Sequence, residues 1–71
     1  MINKIRKQFG NRLRTLRKEK GYSQEELAFK AHLDRTYISG IERGIRNPAL
    51  ENIARLAKAL GVEVTELFKF K

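Results

Sequence analysis

The sequence predicts a compact all-α domain, and three observations carry that prediction. Apolar residues recur at intervals of three and four and not of two, so strand signals are absent. Glycine supplies the punctuation: Gly21, Gly44 and Gly61 each follow a stretch of helical period, where a helix C-cap favours glycine. Two helix starts carry oxygen-bearing cap residues, Ser23 and Asp34. The 71 residues hold no repeat, no low-complexity tract and no linker, which gives a single domain over 1–71.

Five helices follow in order. The first covers about Lys4 to Glu19, with Ile5, Phe9, Leu13 and Leu16 on one face and Lys, Arg, Asn and Gln on the others. Gly10 interrupts it at about 1 kcal/mol relative to alanine, and close helix packing is the expected reason. The second opens on a capping box, Ser23 with Glu26, and a hydrophobic staple, Tyr22 with Leu27, and runs to about Ala31. After a break at His32-Leu33, Asp34 caps a third helix from Arg35 to Glu42, with Leu33 and Ile38 as a second staple. A loop from Gly44 to Pro48 leads to a fourth helix, whose stripe is Leu50, Ile53, Leu56, Ala57 and Leu60. A short fifth helix lies around Thr65 to Lys69.

Composition narrows the function classes. Sixteen Lys and Arg against eight Asp and Glu give a formal net charge of +8, interleaved with apolar residues as on a folded basic surface. Such a surface favours a polyanion, whether lipid, RNA, DNA or an acidic protein. With no cysteine and one histidine, His32, neither a disulfide nor a metal site is expected. No nucleophile triad, phosphate-binding glycine loop or metal-ligand spacing points to an enzyme, so no cofactor and no small-molecule ligand are expected. No apolar run reaches the roughly 18 residues of a membrane span, which makes a cytoplasmic location the default.

Two short helices joined by a tight turn form the layout of a helix-turn-helix. Its inward positions are Leu27 and Ala28 on one helix and Ile38 and Ile41 on the other, with Leu33 plugging the turn. That spacing alone also fits an ordinary amphipathic pair. The segment Gln24 to Pro48, QEELAFKAHLDRTYISGIERGIRNP, resembles the helix-turn-helix of the phage lambda and 434 repressors and Cro, the XRE type. The likeness extends into FGNRLRTLRKEKGYSQEELA in front and ALENIARLAKALGVEVTELF behind. Within that family, LDRTYISGIERGIRN most resembles the small controller proteins of restriction–modification systems. The resemblance implies a five-helix lambda-repressor-like domain with the helix-turn-helix at about 24–43, and the surplus apolar residues near the chain end mark a dimerisation segment at about 61–71. His32 departs from it, standing where the turn usually has glycine, but histidine tolerates positive φ.

What the resemblance implies for each residue follows from groove chemistry. The first turn of a recognition helix meets base edges. Arg35 suits guanine O6 and N7, Thr36 a thymine methyl or a base acceptor, and Ser39 a base or a phosphate one turn on. Gln24, Tyr37, Arg43, Arg46 and Asn47 are the candidate phosphate contacts, although the Tyr37 ring fits core packing equally well. Gly40 offers no side chain to a base; close approach of DNA backbone and a tolerated weak helix both account for it. Glu42 is expected to pair with Arg17 as a brace of the fold. Val62, Leu67, Phe68 and Phe70 carry apolar surface near the chain end and form the expected dimer interface.

The resulting expectation is a transcriptional regulator of bacterial, phage or plasmid origin. It binds a two-fold symmetric operator in double-stranded DNA as a homodimer. The alternative is a protein-interaction module of the same fold, antitoxin-like or coactivator-like, with DNA binding secondary.

Overall fold

The computed structural model describes residues 3–70, Asn3 by its backbone alone. Met1, Ile2 and Lys71, which fall within the expected 1–71 domain, lie outside the described residues. Among the described residues there are four α-helices and one 3-10 turn: α1 (Asn3–Glu19), α2 (Gln24–Ala31), α3 (Arg35–Glu42), α4 (Leu50–Leu60) and the turn Val64–Phe68. The expected fifth helix is therefore a 3-10 turn; its five residues, ending just before Lys69, are too few to propagate an α-helix.

Local chemistry explains the boundaries. The Ser23 hydroxyl accepts from Glu26 N at 3.0 Å and the Glu26 carboxylate accepts from Ser23 N at 2.7 Å, which closes the capping box of α2. His32 ends α2 in the left-handed region at φ 58°, and it is the one non-glycine residue with positive φ among those described. Asp34 caps α3 through Thr36 N at 2.9 Å.

The core joins all five elements. Leu13, Leu27, Ile38, Ile41, Leu56, Leu60 and Leu67 are fully buried, with Phe9, Leu16, Ala28, Ala31, Ile53 and Ala57 around them. Leu67 corrects an expectation: at 0% exposure it is a core residue of its own chain and has no surface to offer a partner. Arg12 on α1 holds that turn in place, donating from Nε to the Glu66 carbonyl at 2.8 Å and pairing with its carboxylate at 3.3 Å. Ile5 and Leu50, read from periodicity as inward, are 53% and 78% exposed, in the opening turns of α1 and α4.

Gly10 lies where α1 crosses the end of α3. A Cβ there would collide with the Ile41 carbonyl oxygen and stand 2.8 Å from that of Glu42. The two backbones therefore touch, and α1 fixes the position of the C-terminal end of α3.

Candidate nucleic-acid interface

The start of α3 presents two side chains to solvent, Arg35 and Thr36. Arg35 forms no ion pair among the described residues, which leaves its guanidinium fork open. Thr36 is held: its hydroxyl donates to Asp34 Oδ1 at 2.8 Å while its backbone N–H donates to the same oxygen. With its proton committed, the hydroxyl can only accept from a base, and the methyl is fixed in direction. The bonds from Thr36, main chain first and hydroxyl second, hold the Asp34 carboxyl below its usual range against the burial that raises it. Nearby Arg35 and Arg46 add to that depression. Ser39, one turn on, is half-buried.

Tyr37 packs its ring and anchors its hydroxyl oxygen. Its half-buried ring packs against the core. Its hydroxyl oxygen accepts from Ala49 N and from Asn52 Nδ2, each at 3.1 Å. Both bonds use lone pairs, so the phenolic proton remains available to an acceptor such as a phosphate oxygen.

Gly40 has a cause that the sequence did not reveal. A Cβ there would stand 2.5 Å from Cγ of Arg46, so the stem of Arg46 lies across the helix at this point. The Arg46 guanidinium then reaches over the Tyr37 ring, 5.4 Å from its centroid. The Gly40 carbonyl accepts from Ile45 N at 3.0 Å and Arg46 N at 3.2 Å, which fixes the loop's course. Arg43, Arg46 and Asn47 are all exposed along it.

Beneath this surface lies a polar hub. Arg17 Nε donates to Glu42 Oε2 at 2.7 Å and its Nη2 to Oε1 at 3.0 Å, a bidentate pair. The Arg17 Nη1 donates to the Tyr22 carbonyl at 2.8 Å. The Glu42 side chain is 0% exposed and that of Arg17 10%. Gln24 Nε2 also donates to Glu42 Oε1, at 3.0 Å, and Arg14 Nε lies 3.5 Å from the same oxygen. Burial pushes the Glu42 carboxyl up, but the bonds from Arg17 and Gln24, the Arg17 charge and the Arg14 bond outweigh it and hold the carboxyl below its usual range. Gln24 is thus tied to the hub through its side chain, a link between α2 and α3 that no local pattern signals.

Of the residues expected at a dimer interface, Phe68 is exposed and Val62 and Phe70 are half-buried. The rings of Phe9, Phe68 and Phe70 form a chain, with centroids 5.1 Å and 6.3 Å apart. Val64 is also exposed there, a residue that the sequence reading passed over. Phe29, at 83% exposure on α2, is an exposed aromatic that it also passed over.

Comparison with known proteins agrees with this geometry. The helix-turn-helix family profile matches residues 13–67. The chain belongs to that family, in its XRE type: DNA-binding transcriptional regulators of lambda-repressor-like fold, which are not enzymes. Among its relatives is the control protein C.BamHI of Bacillus amyloliquefaciens, 52% identical over 71 residues, spanning 99% of this chain and 88% of the relative. The crystal structure of the restriction–modification controller protein C.AhdI from Aeromonas hydrophila superposes with a TM-score of 0.88 at 57% identity, over 89% of this chain and 96% of that one. A third, the controller protein C.Esp1396I, was solved as a tetramer on its natural 35-base-pair operator; its TM-score is 0.85 at 39% identity, covering 93% and 87% of the two chains. No helix among the described residues is long and apolar enough to cross a membrane.

Proposed function

We propose that this chain is the controller protein of a restriction–modification system, binding a two-fold symmetric operator as a homodimer with α3 in the major groove. One observation carries the reading: an unpaired Arg35 beside a clamped Thr36 at the exposed start of a rigidly braced helix. Arg35 recognises guanine, Thr36 offers its methyl or an acceptor, and Ser39 supports them. Tyr37, Arg43, Arg46, Asn47 and the start of α2 at Gln24 hold the register on phosphates. Similarity to proteins named as controllers supports the subtype.

Dimerisation uses Phe68 with Val62 and Phe70, and Val64 beside them; Leu67 is excluded by its burial. The hydrophobic surface at this end is what a second copy would cover.

Selection of bound sites from random duplex DNA tests the proposal. A palindromic consensus with half-sites about one helical turn, roughly 34 Å, apart is the expected outcome. Operator binding unchanged by Arg35→Ala and Thr36→Ala would favour the protein-interaction module instead, and enrichment of no sequence would point to a non-specific nucleic-acid binder. Sedimentation at micromolar concentration checks the dimer; a strict monomer with and without DNA contradicts it.

A further inference from the structure

A groove of about 340 Å³ lies between α1 and the end of α3, lined by Lys7, Asn11 and Arg14 of α1 and by Glu42 and Arg43. Residues 7, 11 and 14 stand at i, i+4 and i+7, so they share one face of α1. Gly10 shares it too, and Gly10 is where α1 touches the carbonyls that end α3. That contact sets the distance between the α1 cations and Arg43. Lys7 is steadied as well: its stem lies against Gly44, where a Cβ would stand 2.7 Å from Lys7 Cγ.

Of the three cations in this groove, Arg14 alone has a structural partner among the described residues. Lys7 and Arg43 are exposed and form no ion pair among the described residues. Arg14 has one acidic neighbour, Glu42, at 3.5 Å, and that carboxylate is already held bidentately by Arg17. No acid in the first turn of α1 is there to pair with Lys7. The Glu42 carboxylate at the groove floor is engaged by Arg17, Gln24 and Arg14, which leaves Lys7 and Arg43 without a counter-ion among the described residues.

We infer that this groove binds a backbone phosphate of the same duplex that α3 reads, which makes α1 a further DNA-contacting element. The ligand is a phosphodiester anion, held by Lys7 and Arg14 with Arg43 at the shared edge and Asn11 as a neutral donor. The inference rests on the DNA-binding reading above and adds contacts outside the helix-turn-helix.

The test measures binding to the selected site as a function of salt, for the parent, Lys7→Gln and Lys7→Gln/Arg14→Gln. Arg55→Gln/Lys58→Gln serves as control; it removes equal charge from a separate cleft beside His32. The slope of log affinity against log salt should shrink by about one for Lys7→Gln and about two for the pair, with the site preference kept. The control pair should change it by less than about half a unit. Lys7 has no ion pair to lose, so its single variant stays interpretable if Arg14→Gln destabilises the fold. An unchanged slope in folded Lys7→Gln, or an equal loss in the control, overturns the groove and leaves the α3 reading standing. A parent that binds no duplex overturns both. Saturable binding of inorganic phosphate to the groove without DNA, with unchanged slopes on DNA, would reassign it to a free anion and also overturn the inference.

Discussion

Replacing Glu42 with glutamine removes the one negative charge of a hub that joins α1, α2 and α3. Glutamine keeps the size and one acceptor, so the effect is electrostatic and not steric. Arg17, whose side chain is 10% exposed, would keep its charge without a counter-ion. Removing one partner of a buried pair costs about 3–5 kcal/mol, and the remaining acceptor and the Arg17 bond to the Tyr22 carbonyl put this case near the lower figure. A domain of this size loses about 4–8 °C in Tm per kcal/mol, so the fall is roughly 12–24 °C. Thermal melts followed by circular dichroism at neutral pH measure it. The pH dependence gives a second reading with a definite sign. The Glu42 carboxyl is held below its ordinary value of 4.5 in the folded chain, so near that pH the unfolded state binds more protons. Its stabilisation is complete above the unfolded value and disappears as pH falls through the folded one. Parent and variant should therefore converge in acid. A variant that melts within about 3 °C of the parent at neutral pH refutes the reasoning. A gap that stays constant into acid refutes it as well.

Three further outcomes follow from the packing. Gly10→Ala should lose about 1–3 kcal/mol in a thermal melt despite alanine's helix propensity, because its Cβ meets backbone carbonyls of α3; a raised Tm contradicts the close approach. His32→Gly should gain about 0.5–1 kcal/mol by relieving a left-handed cap, and a lower Tm shows that the imidazole has a structural role. Leu67→Ala should cost about 2–5 kcal/mol in urea unfolding, with the loss independent of protein concentration; a loss that vanishes on dilution would return Leu67 to an intersubunit contact.

What the sequence made legible was mostly local. The capping box at Ser23, the cap at Asp34 and the left-handed His32 depend on side chains within a few residues of one another, and their spacing announces them. Periodicity located the helices but did not say which apolar residues find a covering element. Leu50 and Ile5 have the right phase and stay exposed, whereas Leu67 looked like surplus surface and fills the core. The site divides in the same way. Arg35 and Thr36 are exposed at the helix start where helix geometry and the family resemblance put them. The tie between Gln24 and Glu42, and the stem of Arg46 across Gly40, join residues distant in sequence or set by a loop's path. The Tyr37 hydroxyl is likewise defined by Ala49 and Asn52 on the far side of the loop.

The central claim is that Arg35 reads sequence from the exposed first turn of α3. Competitive titration of a selected duplex against random DNA at physiological salt, for the parent and for Arg35→Ala, tests it most directly. The parent should prefer the selected site by roughly 10³-fold or more. Arg35→Ala should give up about 1–3 kcal/mol of that preference per half-site, while its affinity for random DNA changes little and its melting curve is retained. An Arg35→Ala chain that keeps the parent's full discrimination would contradict the account.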